Sequence, residues 1–168
     1  ATDCLMRRGK KNIAIVIREG MLDHINVSSR LEGYRKALQE HRISYEKERI
    51  FKVEQTSMEE GYEVTRRICE EYPEVDGIFY YTDLLAIGGM RYLQEKKIAM
   101  PKQIAVVGLD DIPASAMMTP SLTTVRQSRE EFANLAVKAI IDRMNGVESQ
   151  QKCILDVELV ERESTMGV

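Results

Sequence analysis

Arg30 and Asp110 are the two side chains best suited to hold a small polar molecule. Arg30 presents a rigid fork of N–H donors near the start of an expected helix, and Asp110 presents two acceptor oxygens directly after an expected strand. Strand ends and helix starts of an open parallel sheet face one crevice, where helix N–H groups point outward. A donor fork and a carboxylate in that crevice suit a ligand with several hydroxyls, each of which both donates and accepts. A structural ion pair, or a pair of caps, is the alternative use of the same two residues.

Other reactive patterns are missing. His24 and His41 are the only two histidines, one in a loop and one at a helix end. The sequence contains no G-x-S-x-G elbow, Walker loop or H-E-x-x-H, and Ile87-Gly88-Gly89 falls inside an expected helix rather than after a strand. Catalysis is therefore not expected, and no catalytic residue is assigned. Cys4, Cys69 and Cys153 are odd in number and far apart, without C-x-x-C spacing. They suggest neither a disulfide framework nor a metal site and fit a reducing cytoplasm. No cofactor is implied.

The 24 Lys and Arg against 27 Asp and Glu give a formal net charge of −3. That balance is an ordinary solvated surface without the basic excess that a free-standing DNA binder uses on phosphates. Arg7-Arg8 and Lys10-Lys11 read as solvated helix ends. No apolar run approaches the roughly 20 residues that span a bilayer, so no membrane partner is expected.

The elements that must position Arg30 and Asp110 follow from two alternating periods. Ile13–Ile17 is a continuous β-branched run, the pattern of a strand buried on both faces. Ser28–Glu40 carries Leu31, Tyr34, Ala37 and Leu38 at helical spacing, with Ser28 or Ser29 as a cap. Arg49–Val53 reads as a strand, and Thr56 or Ser57 opens a helix that stops before Pro73. Gly77–Tyr81 is a strand, Asp83–Lys97 a helix, and Ile104–Gly108 a strand. An irregular stretch with Asp110-Asp111, Pro113, Met117, Met118 and Pro120 follows. Leu122–Val125 is extended, Ser128–Met144 is a long amphipathic helix ended by Asn145-Gly146, and Cys153–Leu155 and Val157–Val160 close the chain as strands. The alternation predicts an α/β fold, a parallel sheet with helices on both faces in three layers.

Six segments, in order, resemble one family. Leu5–Ala14 is similar to a helix-Gly-strand entry, and Arg30-Leu31-Glu32-Gly33-Tyr34 resembles an Arg-x-x-Gly-Tyr helix start. Asp83-Leu84-Leu85-Ala86-Ile87-Gly88 resembles Asn-Asp-x-x-Ala-x-Gly without the Asn. Pro101–Asp111, Pro120–Val125 (Pro-x-Leu-Thr-Thr-Val) and Leu159–Thr165 complete the set. The chain resembles the carboxy-terminal half of the effector-binding region of the lactose- and galactose-repressor (LacI/GalR) family.

The resemblance implies a periplasmic-binding-protein-like type I fold, largely one subdomain. Residues 1–126 would form the second subdomain; 127–168 would be a crossover helix and strands belonging mainly to a first subdomain outside this chain. The DNA-binding headpiece would also lie outside it, so operator DNA is a partner only through that absent part. Arg30, Asp110 and Gln127 become effector ligands by resemblance, Asp83 a cap and anchor, and Met117 and Met118 a homodimer contact. Two positions depart from the pattern. Thr82 stands where the family usually has an amide, and Thr56 lies near a position where many members stack an aromatic ring. Tyr81 offers an aromatic surface instead, or is a core tyrosine. The expected function is a cytoplasmic sensor of a sugar-like effector in a transcription regulator. An exported sugar-binding protein of a transport system shares the fold and is the alternative.

Overall fold

The computed structural model describes residues 1–19, 25–147 and 154–166. Its elements in chain order are α1 (Thr2–Arg7), β1 (Ile13–Arg18), α2 (Ile25–Glu40), β2 (Ile50–Val53), α3 (Met58–Glu71), β3 (Gly77–Tyr80) and α4 (Asp83–Glu95). They continue with β4 (Ala105–Leu109), α5 (Pro113–Met117), β5 (Thr123–Gln127), α6 (Arg129–Met144), β6 (Val157–Val160) and α7 (Glu163–Met166). His24 and Cys153, and the side chain of Ser28, lie outside the described residues.

The strands form one six-stranded sheet in the order β2-β1-β3-β4-β5-β6. The first five are parallel, and β6 runs antiparallel to β5. Every residue of β3 and β4 is buried, as is β1 up to Ile17. This is why those runs are continuously apolar rather than alternating: the side chains that alternate still meet a helix layer on either face. Ala14, Val16, Ile78, Tyr80 and Val106 pack under α3 and α4. Ile13, Ile15, Ile17, Phe79, Ala105 and Val107 pack with residues of α1 and α2, including Leu5, Tyr34 and Leu38. The Tyr34 hydroxyl donates to the Ile13 carbonyl at 2.7 Å, tying α2 to the sheet.

Helices α3 and α4 approach closely because glycine stands at their crossing. A Cβ on Gly61 would lie 2.1 Å from the Leu85 carbonyl oxygen, and one on Gly88 would lie 1.9 Å from that of Met58. Beside this contact, buried Thr65 donates to the Gly61 carbonyl at 2.6 Å and shares a 2.6 Å hydrogen bond with the Tyr80 hydroxyl. Burial pushes the Tyr80 phenol well above its ordinary pKa, so it stays neutral. The Ser57 hydroxyl accepts from Glu60 N at 3.2 Å, which settles the start of α3 on Ser57 rather than Thr56.

The carboxy-terminal region differs from its expected layout. A short helix, α5, occupies part of the stretch expected to be irregular, opened by Pro113 in its first turn where proline is tolerated. Ile154 and Leu155 lie ahead of β6 rather than in a strand of their own. β6 joins the sheet as its last strand, and α7 packs against β4 and β5. β6 satisfies the outer edge of β5 through Thr124–Val160, Val125–Leu159, Arg126–Glu158 and Gln127–Val157. Ser164 of α7 is fully buried, donates to the Val106 carbonyl at 2.7 Å and accepts from Thr123 N at 2.8 Å. α6 packs least among the described elements. None of its residues is buried, and Phe132, Ile140 and Met144 are 67%, 60% and 81% exposed.

Candidate effector site

The carboxyl ends of β3, β4 and β5 bring together four of the six expected binding residues: Tyr81, Asp110 and Gln127 on the strand ends, and Arg30 from α2. Arg30 Nη1 donates to the Tyr81 carbonyl at 3.3 Å, and its guanidinium carbon sits 4.1 Å from the centre of the Tyr81 ring. Tyr81 is half-buried and packs against both core layers, so it is at once a core tyrosine and the surface that positions Arg30.

Asp110 has a φ of +121°, a backbone state that L residues rarely adopt. Its N–H is held by the Val125 carbonyl at 2.9 Å. Its Oδ1 accepts from Gln127 Nε2 at 3.0 Å, and its carbonyl accepts from Arg129 Nη2 at 3.1 Å. Burial raises the Asp110 carboxyl above the usual range, the Asp83 carboxylate adds to this, and Arg30 and Arg129 pull it back. Arg30 and Asp110 form no ion pair, so the reading of a simple structural pair fails. The guanidinium is occupied by Tyr81 and the carboxylate by Gln127.

Asp83 is the anchor of the site. It is fully buried, yet its carboxylate is saturated: Oδ1 accepts from Thr124 Oγ1 at 2.6 Å, and Oδ2 from Ser115 Oγ at 2.6 Å and Ile112 N at 2.9 Å. These bonds fasten the start of α4 to α5 and β5. Gly108 makes room for them, since a Cβ there would stand 2.2 Å from Asp83 Oδ1. Thr82 is the N-cap of α4, its hydroxyl accepting from Leu85 N at 3.4 Å. Thr56 makes none of these contacts and follows β2, at the far edge of the sheet.

Asp111, which lies outside the expected site, organises the same loop. Its backbone also has a positive φ, +50°. Oδ1 accepts from Arg162 Nη2 at 2.6 Å and Oδ2 from Arg126 Nε at 2.7 Å. Burial pushes the Asp111 carboxyl up, but the two arginines outweigh it and hold the carboxyl below its ordinary value. Arg162 also donates to the Leu122 carbonyl at 2.8 Å, and Arg126 to Glu158 Oε2 at 3.0 Å. The consecutive Asp110-Asp111 pair was the one sequence signal for this network. Nothing in local spacing pointed to Arg129 or Arg162.

Met117 and Met118 lie elsewhere. Met117 is 82% exposed at the end of α5. Met118 lines a groove of about 530 Å³ with Met58, Tyr62, Ile87 and Arg91 on the outer side of α3 and α4. Among the described residues no group of His, Cys, Asp and Glu is placed to hold a metal, and no helix is long and apolar enough to cross a membrane.

The sequence profile of the periplasmic binding protein-like domain matches residues 2–165. This chain belongs to that family. Within it, the chain is similar to the HTH-type transcriptional regulator MalR of Clostridium butyricum, 31% identical over 83% of the chain and 41% of MalR. Its structure superposes on the transcription regulator GntR from Chromobacterium violaceum with a TM-score of 0.89 at 31% identity, covering 98% of this chain and 60% of GntR. It superposes on the transcriptional regulator CelR in its cellobiose complex with a TM-score of 0.90 at 27% identity, covering 98% of this chain and 50% of CelR. The domain is therefore of the LacI-type regulator class, with the α/β architecture of its relatives. The chain spans about half the length of the curated relatives it matches.

Proposed function

We propose that this chain is the effector-sensing part of a LacI-type transcription regulator, and that it binds a polyhydroxylated, sugar-like molecule at the ends of β3, β4 and β5. The observation that carries the reading is the Asp110 carboxylate, held in a left-handed backbone state beside Gln127 and within the field of Arg30 and Arg129. Strain at a polar crevice is the mark of a site fixed for recognition rather than for packing. The similarity to CelR, whose solved complex holds cellobiose, supports a sugar-like ligand. The regulator relatives favour this reading over an exported sugar carrier of the same fold.

In the full-length regulator the crevice is one wall of a cleft, and the exposed apolar side of α6 meets the first subdomain. Effector binds one arrangement of the two subdomains better than the other and shifts the equilibrium by that difference. The shift changes the spacing of two headpieces across a homodimer, with Met117 and Met118 at the contact between copies. Cytoplasmic location follows from this role.

The test is effector-dependent operator release by the full-length protein. Arg30→Ala and Asp110→Ala abolish the response and leave operator binding intact. Unchanged induction in both variants sinks the assigned site.

A further inference from the structure

We infer that the effector carries an acid group, a carboxylate or a phosphate, which Arg30 and Arg129 receive on either side of Asp110; the inference rests on this crevice being the effector site. Ion pairing is available throughout the neighbourhood. Arg126 and Arg162 share Asp111, and Arg126 reaches Glu158 as well. Arg30 and Arg129 do not join it. Neither has a carboxylate within ion-pair distance among the described residues, although Asp110 is close enough for both to act on it.

Their hydrogen bonds are neutral. Arg30 donates to a backbone carbonyl and lies over a tyrosine ring; Arg129 donates to the carbonyl of Asp110. These contacts hold two guanidinium groups in place and leave most of their N–H donors without an anionic acceptor among the described residues. The other carboxylates nearby are spent: Asp83 on two hydroxyls and a backbone N–H, Asp111 on its two arginines. Among the described residues Asp110 is the one carboxylate on which both arginines act, so the pair leaves an excess of one positive charge at the crevice. A held guanidinium fork without a protein anion matches a planar or tetrahedral oxyanion from a ligand. Gln127 and Asp110 remain to read hydroxyls. Thr82, which caps α4, contributes no amide, so a second fork for a neutral hydroxyl pair is missing where a cation is present in excess.

The experiment is calorimetric titration of the full-length protein with D-glucose, D-glucuronate, D-gluconate, D-glucose 6-phosphate and inorganic phosphate. At least one acidic sugar binds about tenfold or more tightly than D-glucose. Arg129→Gln removes that preference, and Arg129→Lys restores part of it. Arg129 is exposed in the first turn of α6 and buries nothing, so neither change threatens the fold. D-glucose binding as tightly as every acidic sugar, with an affinity that Arg129→Gln leaves unchanged, overturns the inference. Failure of all the acidic probes to bind at millimolar concentration also overturns it. The two readings separate through Asp110→Asn: loss of D-glucose binding in that variant keeps the crevice as the site while the acid inference fails. Binding of any probe that is unchanged in both Asp110→Asn and Arg30→Gln removes the site itself.

Discussion

Arg162 Nη2 donates to Asp111 Oδ1 at 2.6 Å across 51 residues of chain, with the two side chains only 17% and 11% exposed. The bond joins the segment after β6 to the loop after β4, and Asp110 is the residue immediately before Asp111 in that loop. Because both Asp110 and Asp111 have positive φ, their backbone depends on outside restraint. Arg162→Ala removes a charge-assisted bond and the bond to the Leu122 carbonyl together. The expected cost is about 2 kcal/mol, from the usual worth of bonds to charged groups. Effector affinity falls as well, although Arg162 touches no ligand. Urea denaturation and calorimetry on the same variant check both effects; an unchanged affinity removes the positioning role.

The two neighbouring carboxyls respond to pH with opposite sign. Asp111 has a folded pKa held below its ordinary 3.8, so it contributes stability above about pH 4 that is lost as pH falls through its folded value. Asp110 is raised above 3.8, chiefly by burial, so folding favours its protonated form, and this contribution is lost as pH rises through its folded value. Asp111→Asn therefore lowers the urea midpoint at pH 7, and by less at pH 3. Asp110→Asn raises the midpoint at pH 7, a gain in stability at the expense of function, and has little effect at pH 3. Equal shifts at both pH values in either variant would falsify the assignment.

The crossing of α3 and α4 is set by backbone contact, not by side-chain volume. Gly88→Ala places a methyl where the Met58 carbonyl oxygen stands, and neither backbone can yield as a flexible side chain would. A loss of about 3 kcal/mol is expected, at the upper end for overpacked sites. Gly33, in α2, has open space at its Cβ, and Gly33→Ala serves as the control. There the substitution is neutral or stabilising, because alanine is the better helix former. Thermal unfolding of the two variants distinguishes a steric cause from a general intolerance of glycine replacement.

The legible parts of the molecule were those that announce themselves locally. β1, β3 and β4 read as doubly buried strands because both faces are apolar, and Ser57 marked the start of α3; the cap of α4 is Thr82 rather than the expected Asp83, whose carboxylate is spent on α5 and β5. Arg30, Tyr81 and Asp110 follow once strand ends are expected to share a crevice, whereas Gln127 was expected only from the family resemblance. Long-range partnerships left no such mark. Arg162 pairs with Asp111 and Ser164 with Val106 from the last turns of the chain, where sequence spacing says nothing about contact. α5 was hidden because five residues opened by Pro113 are too few to show a period. Arg129 reads as an ordinary solvated helix start beside its Ser128 cap, and only the fold puts it against Asp110.

The groove beside Met118 gives a test of the proposed contact between copies. Met117 is 82% exposed while Met118 is half-buried against the α3 and α4 layer, so the two can be separated experimentally. A charge at Met117 leaves the core untouched, since the residue buries little in one chain. In a homodimer formed through this surface, Met117→Glu places two like charges near the symmetry axis of an isologous contact. Such a contact relies on a few well-packed apolar anchors, and burying an unpaired carboxylate among them costs more than one methionine supplies. The full-length variant is expected to sediment as a monomer at micromolar concentration, with unchanged thermal unfolding of the isolated fold and weakened operator binding. A variant that remains dimeric by analytical ultracentrifugation places the contact between copies elsewhere on the molecule.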